Sequence, residues 1–302
     1  MKKIQALYYS QSGQLRAVLE SLCRPLEESG RVKLMYTEIK PRPAFPYPWR
    51  FYDFFDTMAE SVLDRACPIE PVPVAEDADL ILLGATVWFL SPSLPLAAFL
   101  NSEAANMLRG KPVVTVIACR DMWLMAYERL KEKLLAVGAR HLDNVVFVDQ
   151  GKSLFSFVTT PRWLLTGKKN AFLFFPAAGV APAEIQAAQR FGERILQALQ
   201  EDAERHDAPL LRGLGAVRVV DTLIASEKIA IKSFRLWSRF MEKAGAPGSG
   251  GRRLVITIYI IFLLVMICTL VPINLCKNAI MAKVRPDMVE AERRRSEAPS
   301  GR

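Results

Sequence analysis

The stretch Ile4–Leu15 reads IQALYYSQSGQL. Its first six residues, Ile4–Tyr9, form an apolar run of strand length. Ser10-Gln11-Ser12-Gly13-Gln14 follows and opens a helical pattern over Gln14–Ser29, with Leu15, Val18, Leu19 and Leu22 at helical spacing. A strand that turns at once into a helix leaves the first amides of that helix without partners, and the helix dipole adds partial positive charge. Two hydroxyls and a glycine in that turn make an anion cradle. The pattern is neither GxGxxG nor a Walker loop, because the lysine is missing. Alone it also describes an ordinary helix N-cap.

Outward from this turn the alternation continues. Strands are expected at Val32–Ile39, Asp79–Thr86, Pro112–Ala118 and Asn144–Val148. Helices are expected at Leu94–Met107, Met122–Val137 and Ala183–Leu199. The third strand is apolar from Leu80 to Leu83, as in a strand covered on both faces. This predicts an α/β fold, a doubly wound parallel five-stranded sheet. Two insertions interrupt residues 1–204: 41–73, rich in proline and aromatics, and 150–180, with Trp163 and FLFFPAAG. Segments of that length either cover a site or pack over a helix.

The chain of 302 residues carries a net charge of +9, unevenly spread. Residues 1–204 hold 23 basic and 23 acidic side chains, and residues 205–253 hold 10 and 4. Residues 254–276 hold none, and 277–302 hold 7 and 4. A neutral body argues against nucleic acid as a partner; a basic neck beside an uncharged run points to membrane lipid. Leu254–Cys276 is long enough to cross a bilayer as one transmembrane helix. Arg252, Arg253 and Lys277 bracket it, and the charge bias keeps residues 1–253 cytoplasmic. Upstream, Ala216–Phe240 reads as an amphipathic helix with Lys228, Lys232, Arg235 and Arg239 on one face. It lies in the headgroup region or packs on the body. The linker Gly245–Gly251 separates it from the apolar run. The tail 277–302 is basic and polar.

Cys23, Cys67, Cys119, Cys268 and Cys276 show no CxxC spacing and read as reduced thiols. With only His141 and His206, no metal centre is expected.

In a doubly wound sheet the site lies at the carboxyl ends of the strands. The first turn resembles the flavodoxin loop that holds the FMN phosphate with hydroxyls and amides. On that reading Ser10, Gln11, Ser12, Gly13, Gln14 and Leu15 bind cofactor. So do Thr86, Val87, Trp88 and Phe89 after the third strand, with an aromatic ring to stack. Cys119, Arg120, Asp121 and Trp123 complete the set after the fourth. Asp121 either caps the next helix or takes a proton. Arg120 balances negative charge. Tyr127 and His141 are the other candidate bases, with His141 expected at the surface.

Longer stretches carry a family resemblance. They are YYSQSGQL (Tyr8–Leu15), FPYPW (Phe45–Trp49), VWFLSPSLP (Val87–Pro95), GKPVVTVIACRDMW (Gly110–Trp123), TTPRWLLTGKK (Thr159–Lys169) and FPAAGV (Phe175–Val180). LLRGLGAVRV, SEKIAIKSF and GAPGS extend the match along nearly the whole chain. It resembles the flavodoxin-like proteins of bacterial dialkylresorcinol and aryl-polyene biosynthesis, commonly labelled dialkylresorcinol condensing enzyme. A condensing enzyme of ketosynthase type needs an active cysteine with histidine partners, which this chain lacks. The resemblance therefore implies the aromatase step: an FMN-dependent dehydrogenase at the bacterial inner membrane. It would act on a lipophilic alkyl-ring substrate beside a ketosynthase-like partner, with a homodimer as one assembly. The alternatives are an NAD(P)H-dependent quinone or flavin reductase or electron carrier, and a non-enzymatic scaffold.

Overall fold

A computed structural model describes residues 1–151, 153–284 and 286–299, without the side chains of 153, 221, 222, 270–272, 274–289 and 292. The elements are β1 (Lys2–Tyr8), α1 (Gln14–Glu28), β2 (Val32–Glu38), α2 (Phe51–Leu63), β3 (Leu80–Trp88), β4 (Ser91–Pro92), α3 (Leu94–Leu100), β5 (Pro112–Cys119), α4 (Leu124–Ala136) and β6 (Arg140–Val148). After them come α5 (Ser153–Thr166), α6 (Pro182–Ala187), α7 (Gln189–Gln200), α8 (Asp221–Ala244), α9 (Gly250–Val284) and α10 (Pro286–Glu297).

Five strands run parallel in the order β2-β1-β3-β5-β6, the flavodoxin-like winding with its switch between β1 and β3. The sheet has six strands rather than five, because β4 folds back antiparallel on the end of β3. Two residues with φ of 48° and 57°, Phe89 and Leu90, make that return. Consecutive positive φ values are the signature of a tight hairpin turn. A two-residue strand is too short to show as a hydrophobic period.

Strand residues alternate between two cores. Leu80 and Leu82 face α1 and α7, while Ile81 and Leu83 face α3 and α4. The expected fifth strand begins four residues early, at Arg140. Its polar start is satisfied by tertiary partners, which no local pattern shows. Thr115 donates to Asn144 Oδ1 at 2.7 Å, and Asp143 Oδ2 accepts the Leu211 amide at 2.7 Å. The helix expected to Met107 ends at Leu100, where Ser102 turns its hydroxyl onto the Phe99 carbonyl at 2.7 Å. The closing helix is split at Ala188 into α6 and α7.

Both insertions contain a helix. α2 lies in the first and α5 in the second, and they meet where the Trp49 amide donates to the Leu164 carbonyl at 2.8 Å. The basic helix starts at Asp221, five residues later than expected, since Ala216 and Val217 are buried in the cores as loop. Its four cations are exposed, and its Ile231 and Met241 pack with α2 and α9.

α9 contains a stretch, Gly250–Thr269, long and apolar enough to cross a membrane. Its beginning is not detached from the body. Ile256 and Tyr259 are buried against α2 and α8, and buried Arg252 pairs with Asp56 and Glu60 of α2. The connection is a closed turn in which the Gly248 amide donates to Asp56 Oδ2 at 2.7 Å. Leu254, Ile258, Ile261, Leu264 and Val265 form an exposed apolar stripe on α9.

Candidate functional site

A cleft of about 810 Å³, its open mouth included, lies at the carboxyl ends of β1, β3 and β5. Only about 140 Å³ of that is space a water-sized sphere can enter. The first turn forms its floor. Gly13 sits at φ 80°, with nothing within 4 Å of where a Cβ would be. The helix that follows has no side-chain cap. Ser10 Oγ takes the Arg16 amide at 3.2 Å. Among the described residues, the amides of Ser12, Gly13, Gln14 and Leu15 meet no acceptor. A hydroxyl, unengaged amides and open space above a left-handed residue fit a phosphate monoester.

The two glutamines of the turn do something else. Gln11 donates to the Pro46 carbonyl at 2.8 Å and accepts from Trp49 Nε1 at 2.9 Å. Gln14 Oε1 accepts the Val180 amide at 2.8 Å. Each side chain thus fastens one insertion to the cradle. Their backbones stay beside the phosphate position while their side chains close the rim.

The apolar wall is aromatic. Trp88 meets Tyr9, Phe45 and Trp49 edge-on at 5.7, 5.1 and 5.5 Å. Phe89, aimed by the positive-φ turn, lies 4.9 Å from Phe54 and 6.3 Å from Phe234 of α8. Holding two non-glycine residues in that region costs about 1 kcal/mol or more each, and such positions gather at functional sites. Thr86 donates to the Tyr9 carbonyl at 3.1 Å, joining β3 to β1 beside the cradle.

On the opposite wall stand Cys119, Arg120 and Asp149. Burial raises the Cys119 thiol, so it stays protonated. Arg120 donates to Ser156 at 2.6 Å and lies over the Phe157 ring at 3.9 Å. Burial works against its charge. Asp149 accepts the Gly151 and Gly179 amides at 2.7 and 2.5 Å, and burial raises its carboxyl. Among the described residues these are the two charged side chains lining the cleft.

Eleven residues expected from the sequence line this cleft: Ser10, Gln11, Ser12, Gln14, Leu15, Thr86, Val87, Trp88, Phe89, Cys119 and Arg120. Gly13 shapes the turn without lining it. Asp121 and Trp123 lie outside. Asp121 does not cap α4, whose N-cap is Trp123 with no side-chain bond. It is half-buried 3.3 Å from Arg120, and its two buried oxygens have no hydrogen-bond partner. Tyr127 is in the core, fully buried, with its hydroxyl donating to the Ala298 carbonyl at 3.1 Å. His141, expected at the surface, is half-buried. It sits at the amino end of β6, away from the cleft, 3.1 Å from Thr115, and burial lowers it to about 4. Sequence reasoning missed Trp49, Phe54, Asp149, Thr160, Trp163 and Gly179 as cleft residues. Trp49 and Trp163 lie within quoted motifs, and Asp149 directly follows a strand.

The cap that Asp121 does not supply comes from α8. Glu227 Oε2 accepts the Met125 amide at 3.0 Å, and burial pushes its carboxyl up to about 7. Folded protein therefore keeps a proton that the unfolded chain releases from 4.5 upward. Its contribution to stability is full below that value and is lost as pH rises toward 7. Glu227→Gln keeps the acceptor and removes the charge. It should gain about 2 kcal/mol relative to the native protein between about pH 5 and 8. Melting curves of both proteins in detergent across that range check this; a difference constant with pH would refute it.

No family model matches the chain, and no curated protein matches it. Solved flavoprotein structures are similar in fold. A flavoprotein in complex with FMN from Lactobacillus acidophilus NCFM is 20% identical over 48% of this chain and 93% of that one, at a TM-score of 0.40. A flavodoxin from the domain Archaea is 13% identical over 66% and 99%, at 0.37. A flavone reductase is 12% identical over 68% and 65%, at 0.38. The strand order, with a cleft at the switch between β1 and β3, is that of an α/β parallel sheet consistent with a flavodoxin-like fold.

Proposed function

We propose that this protein is a membrane-anchored, FMN-dependent oxidoreductase that aromatises a dialkyl-cyclohexanedione to a dialkylresorcinol. The observation that carries the reading is the cleft itself: an open phosphate cradle on one side and an aromatic wall on the other, continuous through Phe89, Phe234 and Tyr259 with the apolar helix α9. The finer identity of the substrate rests on the sequence motifs.

Ser12 and the amides of residues 12–15 would hold the phosphate of FMN, and the Thr86–Phe89 turn with Trp49 lines the apolar part of the cleft that would take the rest. Bound FMN would supply the two-electron acceptor for the hydrogens that leave the substrate. The chain orients the substrate ring against that wall and keeps water from it with Phe54 and Phe89. Arg120 offsets negative charge as the ring becomes a phenol. Asp149, the carboxylate lining the cleft among the described residues, takes the departing proton on a carboxyl oxygen. Burial favours its protonated form. α9 anchors the body at the inner membrane through its exposed apolar stripe, with the cations of α8 toward anionic headgroups and the body in the cytoplasm, on the side where the Tyr127 bond also holds Ala298. A ketosynthase-like partner delivers the cyclic dione.

The test is a spectrum and a turnover. Full-length protein purified in detergent should show flavin absorbance between about 350 and 500 nm. Mixed anaerobically with a dialkyl-cyclohexanedione, it should bleach in step with formation of a product lighter by two hydrogens. Colourless protein that takes up no FMN would sink the proposal. Rapid NADPH-driven quinone reduction without dione turnover would assign it to the reductases instead.

A further inference from the structure

The second insertion ends in a structure that neither the cleft nor the sheet requires. Phe172 and Phe175 pair through two backbone hydrogen bonds of 3.1 and 2.9 Å, closing a two-residue turn. Their rings stack at 5.0 Å. Arg162 braces the base, with its guanidinium 4.2 Å over the Phe172 ring and bonds to the carbonyls of Lys168 and Asn170. At the tip, Leu173 is 90% exposed and Phe174 is 73% exposed. A floppy loop would fold such side chains inward. Here a braced turn leaves them exposed, Leu173 at φ 48° and Phe174 with its ring centroid 4.3 Å from that of Phe175.

Charge and position indicate what covers the tip. No acidic residue occurs between Asp149 and Glu184, whereas Lys168 and Lys169 stand exposed just before the turn. An apolar tip with cations at its base matches the boundary between anionic headgroups and acyl chains. The turn hangs from the end of α5. That end contacts the start of α2, where Trp49 bonds Leu164 and Gly167 lies against Pro48. The start of α2 in turn reaches α9, with Tyr52 Oη 3.2 Å from Thr257 Oγ1. Thr257 lies inside the apolar run that begins at Leu254. Tip, cleft rim and apolar helix are therefore linked by successive contacts, with exposed Phe51 and Tyr52 between them.

We propose that the Leu173–Phe174 tip is a second membrane contact, inserted into the bilayer interface and setting the cleft mouth against the lipid. This rests on the reading of α9 as a membrane anchor. The function it assigns is substrate access: an alkyl-ring compound enters from the bilayer under the rim without crossing water.

The test uses full-length Phe174→Trp in nanodiscs of phosphatidylcholine and phosphatidylglycerol, with native protein as the spectral background. The added emission should be blue-shifted and quenched about twofold by lipid brominated near the carbonyl end of its chains, the depth of an interfacial side chain. Emission typical of water and unmoved by bromine overturns the proposal. A blue shift without quenching also overturns it, because protein then covers the tip. Flotation of the native protein with vesicles in sodium carbonate separates the two readings. If it floats while the tip stays in water, the anchor stands and the tip contact falls; if it does not float, both fall.

Discussion

Ser12→Asp lowers the affinity for FMN at least about 100-fold. Two unit charges at about 4 Å interact by about 4 kcal/mol at the effective dielectric of a protein surface. A phosphate monoester brings close to two charges. The cation of the first turn, Arg16, does not line the cleft and is engaged by Glu20 at 2.7 Å, and Arg120 belongs to the loop after β5, so neither absorbs the repulsion at Ser12. An aspartate also takes the amides of residues 12–15 for itself. Those same contacts stabilise the start of α1 by about 0.3–1 kcal/mol. The apoprotein should therefore melt no lower than the native one, which separates lost binding from lost folding. Ser12→Ala removes one hydroxyl and should cost about tenfold. Flavin-fluorescence titrations check both. An aspartate variant within about threefold of native would place the phosphate elsewhere.

Gly192→Ala destabilises the domain by about 3 kcal/mol. In an ordinary helix the change would help, because alanine is favoured over glycine by about 1 kcal/mol. Here α7 lies so close to α1 that an added Cβ would stand 1.9 Å from the Leu22 carbonyl oxygen and 3.2 Å from Pro25. The obstacle is backbone, so no rotamer change relieves it, and α7 has to back away from a core it shares with α1. Gly250→Ala is the control, since nothing lies within 4 Å of its Cβ position. Denaturation in detergent should lower the midpoint for the first variant and leave it near native for the second. Equal midpoints for native and Gly192→Ala would mean that the helices do not approach so closely.

The alternation of strands and helices was legible because both faces of the sheet are covered by apolar side chains at regular periods. The cradle was legible because glycine and hydroxyls in a strand-to-helix turn have few other uses. β4 was not legible, since two residues have no period. The start of β6 was hidden because Arg140, His141 and Asp143 are polar, and contacts with Thr115 and Leu211 engage the last two. Asp121 as a cap was a sound local expectation. Glu227, 106 positions away in the sequence, occupies that role from another helix.

By itself, then, the sequence determined the parallel sheet, the phosphate turn and the uncharged helix, because each is a local pattern of polarity with a single periodicity. Tertiary structure alone decided what faces the cleft. Trp49, Asp149 and Trp163 arrive from segments far apart in the chain, held by Gln11, Gln14 and paired backbone amides. It also decided that the apolar helix docks on the body through Arg252 and Tyr259. Side-chain direction at a distance depends on packing, and packing is not written in any single segment.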